Sequence, residues 1–155
     1  MMATASVIFM LAFALSFYVL GATFVEGFVN YRTWHLIGAA EFKPYHQAIR
    51  PGVMAFVVFP FVLAIVLTGM LLWRLPLSIP RLSVWLSLAL DLFAVTVSIV
   101  FQIPIQFQFD RQGMSLPLLR RLNAIEWLRR VAHIGNSLLF LWMMARFMSS
   151  LSVRY

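Results

Sequence analysis

Four long apolar stretches alternate with short polar segments along the 155-residue chain. From Met1 to Val25 no residue carries a charge, a run long enough to cross a hydrocarbon layer of about 30 Å. It predicts a first helix over residues 3–34. A second apolar stretch predicts a helix over 51–73, a third over 82–109 and a fourth over 116–149. Residues 38–43 read as a connector. Arg74, Pro76, Pro80 and Arg81 mark a tight polar turn, and Asp110 to Ser115 a turn containing Gly113. The expected fold is all-α: one integral membrane four-helix bundle, up-down-up-down, in a single domain.

Prolines punctuate this pattern. Pro44 suits a first helical turn, so that Tyr45 and His46 begin a lead-in or the second helix itself. Pro51 restarts or kinks that helix. Pro60 lies inside it and removes a bond to the Phe56 carbonyl, a loss tolerated in membranes when a neighbour or water satisfies the freed group.

Polar residues within the helices recur at helical spacing. Thr23, Glu26, Asn30 and Thr33 or Trp34 share one face of the first helix. Asp91, Ser98, Gln102 and Gln106 share a face of the third. Asn123, Glu126, Arg130, His133 and Ser137 form a stripe on the fourth, with Glu126 and Arg130 in the favourable i, i+4 order for an ion pair. In an up-down bundle, the end of helix 1, the start of helix 2, the end of helix 3 and the start of helix 4 share one membrane face. All three histidines and four of the five acidic residues fall there; only Asp91 lies elsewhere. Charges inside membrane helices are costly and usually face a cavity, a partner or a functional path. The stripes therefore predict a polar site at one end of the bundle, walled on one side by residues 26–46. The competing reading is mutual structural pairing, of Glu26 or Glu126 with Arg129 or Arg130.

Composition agrees with a membrane setting. The chain is 63% hydrophobic and 11% charged, where a soluble domain carries about 25% charged residues. Its net charge of +7 would suggest nucleic acid in a soluble protein, but here it marks membrane edges, and no nucleic-acid partner is expected. The site face carries Arg32, Lys43, Arg50, Arg111, Arg120, Arg121, Arg129 and Arg130; the other face carries Arg74, Arg81, Arg146 and Arg154. That bias predicts a cytoplasmic site face with both termini outside. The absence of cysteine excludes disulfides, thiolate metal sites and cysteine nucleophiles. The N-terminus lacks the basic region of a secretory signal and reads as a retained helix.

No phosphate-binding glycine loop, nucleophile elbow or metal motif of familiar spacing occurs. General acid–base chemistry fits better. A carboxylate held away from water can act as a base near neutral pH; Glu26 is the first candidate, followed by His133 and His46. Arg129 or Arg130 would stabilise an anionic oxygen, or else anchor lipid phosphate. Asn30, Trp34, Tyr45, Gln102, Gln106, Glu126 and Trp127 complete the expected substrate-binding set, with Trp127 walling a flat aromatic ligand or sitting in an interfacial belt. His46 and His133 with Glu26, Glu41 or Glu126 offer nitrogen and oxygen ligands for a metal or haem, although no metal ligand set is assigned.

The segments VFQIPIQFQFD and PLLRRLNAIEWLRRVAH resemble bacterial four-helix membrane proteins of the anthrone oxygenase-like superfamily. There a proline-containing polar motif ends helix 3 and a Trp–Arg motif opens helix 4; the matching residues are Gln102, Pro104, Gln106, Trp127 and Arg129. Residues 29–46 resemble a largely uncharacterised branch with an EFxxYH-type element, here Glu41, Phe42, Tyr45 and His46. Gln106 stands where Asn is often found. The resemblance implies a compact bundle in a bacterial inner membrane and, as in characterised members, oxygenation of polycyclic phenols. The functional expectation is a small membrane oxidoreductase, monooxygenase-like, acting on a lipophilic aromatic or quinone-like molecule. The alternatives are a non-enzymatic accessory subunit or carrier of a lipophilic solute, with a membrane-protein partner or a second copy of the chain, and a haem- or metal-binding protein.

Overall fold

The computed structural model describes residues 2–152 and contains four long helices packed as a bundle. Helix α1 (residues 2–36) runs regularly over Met2–Val25, widens into a π-helical turn at Glu26–Asn30 and tightens to a 3-10 turn at Trp34–Leu36. Helix α2 (Ala39–Met70) has a π-helical turn at Met54–Val58. Helix α3 (Arg81–Gln112) has another at Ser98–Gln102. Helix α4 (Leu116–Ser152) is uninterrupted. All four are long and apolar enough to span a membrane. Phe56, Trp85, Leu138 and many other large apolar side chains face outward, as they must where the solvent is lipid. Arg154 lies outside the described residues.

Helix α2 starts at Ala39, twelve residues before the span expected from Pro51 and five before the alternative start at Pro44. Gly38 precedes it, and the amides of Glu41 and Phe42 bond the Gly38 carbonyl at 3.2 and 3.0 Å. The Glu41 side chain folds back over Gly38, so that a Cβ there would meet Oε2 at 2.1 Å. An acid in the first turn complements the positive helix start. Residues 39–43 are thus a helical turn, not a connector, and Pro44 and Pro51 both sit in the helix interior. Two anchors on one face, Phe42 and His46, hold this segment against α3. Lys43 ties the same ends together: its Nζ donates to the Arg111 carbonyl at 2.7 Å. That carbonyl lies in the last turn of α3, which closes at Gly113 with φ +80°, a conformation glycine adopts without steric cost.

The carbonyl freed by Pro60 is satisfied. The Tyr18 hydroxyl of α1 donates to the Phe56 oxygen at 2.9 Å. Pro60 and Pro104 each follow a π-helical turn by two residues. The wider turn moves the preceding carbonyls away from the proline ring, which would strike them in a regular helix.

Three apolar clusters fill the interior. Phe9, Leu71, Val84, Phe140 and Met143 pack at the end holding the α2–α3 turn. Val19, Phe61, Ala64, Ala94 and Ala132 occupy the middle. Tyr31, Trp34, Phe42, Ile105, Phe109 and Leu122 close the other end. The polar residues predicted to converge lie between these last two.

Candidate functional site

Glu126, Arg129, Arg130 and His133 step by 3, 1 and 3 along α4 and therefore occupy one face. All four are buried, and Glu126 is 0% exposed. Gln102, at the end of the α3 π-turn, projects onto them. Its amide donates to Glu126 Oε2 and its oxygen accepts from Arg129 Nη1. Arg129 Nη1 also reaches Glu126 Oε2 at 3.2 Å. The expected i, i+4 pair of Glu126 with Arg130 does not form; the i, i+3 pair with Arg129 replaces it. Arg130 points instead toward α1. Its guanidinium stacks over Phe28 and Trp127, 4.2 and 5.0 Å from the ring centroids, and fills the space beside Gly27.

The cluster is incompletely satisfied. Glu126 Oε1, Arg129 Nε, Arg130 Nε and His133 Nε2 are buried without a hydrogen-bond partner. Buried polar atoms are normally paired, so four orphans on one helix face mark a place where a ligand or water belongs. The His133 ring meets Phe61 edge-on at 4.9 Å, which closes the site toward α2.

Glu26, the residue before Arg130's seat at Gly27, is buried at the start of the α1 π-turn. Its carboxylate lies within electrostatic reach of Glu126 and beside the Tyr31 hydroxyl. Tyr31 connects to a second polar group. Gln106 Nε2 stands 3.4 Å from the Tyr31 hydroxyl, and Gln106 Oε1 is 2.7 Å from His46 Nε2. His46 Nδ1 is 2.8 Å from Asp110 Oδ1, and Asp110 Oδ2 pairs with the exposed Arg50 at 3.1 Å. A continuous polar chain therefore leads from the membrane face to the buried carboxylates.

The structure thus brings Glu26, Gln102, Glu126, Arg129, Arg130 and His133 together, and links Gln106 and His46 to them through Tyr31. Trp34 is buried against His46, Tyr31, Phe42 and Phe109, with its Nε1 unpartnered. Asn30 is half-buried at the end of the π-turn. Tyr45 is exposed on α2 and stands apart from the cluster. Trp127 is 51% exposed and meets Phe28 edge-on, so it forms the lipid-facing border rather than an inner wall. Among the described residues, no group of three or more His, Asp or Glu side chains assembles as a metal site; both His46 nitrogens are engaged elsewhere, and Glu41 is spent on the helix start. Sequence periodicity missed Tyr31 and Gly27. Tyr31 lies off the regular stripe and joins it only because the π-turn rotates the chain after Glu26. The neutral Gly27 matters by having no side chain.

No family model, no curated protein and no solved structure matches the chain.

Proposed function

We propose that this intramembrane cluster binds a lipophilic aromatic molecule carrying a phenol or quinone-like oxygen, and that the protein is a small monooxygenase-like oxidoreductase. The observation that carries the reading is the row of buried, unpartnered polar atoms on α4: Glu126 Oε1, Arg129 Nε, Arg130 Nε and His133 Nε2. A ring oxygen placed among them would receive hydrogen bonds from arginine, and a carboxylate oxygen would stand free to take its proton. Paired guanidinium groups stabilise the oxyanion that proton removal leaves. Phe61, Phe28 and the neighbouring apolar helices suit a flat apolar body.

In the oxygenation that the resembling superfamily performs on polycyclic phenols, the co-reactant is dioxygen. A ring CH2 becomes a carbonyl, one oxygen atom enters the substrate, and the other leaves as water with the two hydrogens removed. In this chain Glu126 or Glu26 would remove the first proton and Arg129 would hold the resulting anion. The carboxylate would then give that proton to the oxygen that leaves as water, and the polar chain through Tyr31, Gln106, His46 and Asp110 would keep it in proton exchange with the membrane face. On the charge bias of the flanking segments, that face would be the cytoplasmic one.

A non-enzymatic accessory or carrier role draws on the internal pairing of Gln102, Glu126 and Arg129, which closes part of the cluster on itself. Dioxygen uptake by the purified protein with anthrone-class polycyclic phenols separates the two. The enzyme reading expects uptake with equimolar product, lost in Glu26→Gln or His133→Ala. Absence of uptake in the wild type, or equal rates in both variants, removes it.

A further inference from the structure

A second polar group lies deeper, independent of the site above. Asp91 on α3 is 2% exposed and sits midway between Arg81 and Gln102, about 15 Å of helix from each. Its Oδ1 accepts from Asn136 Nδ2 of α4 at 2.9 Å. Asn136 Oδ1 in turn accepts from the hydroxyl of Ser87, one turn before Asp91. Asp91 Oδ2 is buried with no partner. The ion pairs among the described residues involve Asp110 and Glu126 only, so no cationic side chain pairs with Asp91. A single acid in mid-membrane, with an open oxygen and no counter-charge, is by default a functional group rather than packing.

We propose that Asp91, Asn136 and Ser87 form a binding site for a small monovalent cation of the sodium class. The ligand atoms are Asp91 Oδ2, the Asn136 amide oxygen and the Ser87 hydroxyl oxygen. A carboxylate with neutral oxygens suits a hard cation. The charge count selects valence: one positive charge neutralises the lone carboxylate, whereas a divalent ion would leave an uncompensated charge in low dielectric. The three side chains are already in hydrogen-bond contact with one another, which favours a small ion over a large one.

The test uses the full chain in detergent, titrated with NaCl against choline chloride and KCl at constant ionic strength. Thermal unfolding and radiolabelled sodium binding are the readouts. The expected result is a saturable rise in Tm with sodium, smaller with potassium and absent with choline. It should vanish in Asp91→Asn and shift to roughly tenfold or higher sodium concentration in Ser87→Ala, the scale of a weakened ligand set. Sodium should also slow modification of Asp91 by a hydrophobic carbodiimide in the wild type. Equal Tm in sodium and choline, or a sodium response retained in Asp91→Asn, overturns the site. So does carbodiimide modification that ignores sodium, which would leave Asp91 a protonated structural acid. Should Asp91→Asn fail to fold, the Ser87→Ala shift and the carbodiimide protection decide the matter.

Discussion

Arg130 occupies the room of a side chain that Gly27 does not have. A Cβ at Gly27 would lie 1.5 Å from Arg130 Nη2, so any larger residue must evict the guanidinium from its seat between Phe28 and Trp127. Gly27→Ala is therefore expected to destabilise the bundle by about 1–3 kcal/mol, the usual cost of overpacking. It should also abolish ligand binding at the cluster. Arg130→Met should relieve the clash, so the double variant should be closer to wild-type stability than Gly27→Ala alone. Denaturation in detergent checks both.

Tyr18 supports the proline in α2. Tyr18→Phe keeps the ring but leaves the Phe56 carbonyl without its donor, at a cost of about 0.5–1.5 kcal/mol. In a Pro60→Ala background the carbonyl gains a backbone amide from residue 60, and the same substitution should cost less. A double-mutant cycle in thermal unfolding reads the difference.

Asp110 holds two partners at once, His46 and Arg50. Asp110→Ala is expected to lower stability by about 1–3 kcal/mol, mostly through the buried His46 that loses its acceptor. Arg50→Gln should cost far less, because the Arg50 side chain is 52% exposed and exposed pairs contribute little. Comparable losses in the two variants would contradict this division.

Glu126 and Arg129 form a buried pair, and removing one partner strands the other. Glu126→Gln or Arg129→Gln alone should cost about 3–5 kcal/mol, and the double substitution clearly less than the sum. Additive losses, measured by unfolding of all four proteins, would mean that the two charges do not depend on each other.

Much of this arrangement was legible in the residue pattern. The apolar runs marked four spans. Pro60 announced a carbonyl in need of a donor, and stripes on three helices predicted that Glu26, Gln102 and His133 face inward, as they do. The rest depended on backbone events with no residue signature. The π-turn at Glu26–Asn30 rotates Tyr31 into the polar chain, and no proline or glycine pair signals it. Helix α2 begins at Ala39 because Phe42 and His46 gain packing and hydrogen bonds against α3, which outweighs the local cost of Pro44 and Pro51. Helical spacing allowed Glu126 either Arg129 or Arg130. The space at Gly27, a feature of another helix, decided between them.

In the proposed function, side chains of different helices enclose a place for a lipophilic ligand at Glu126 and His133. Binding of a polycyclic phenol and of a short-chain quinone to the purified protein, followed by tryptophan fluorescence quenching, tests it most directly. Saturable quenching by at least one of them is expected, weakened about tenfold or more in His133→Ala, which removes one of the buried groups proposed to face the ligand. Saturable binding of the same strength in the variant, or no binding of either probe to the wild type, would contradict it.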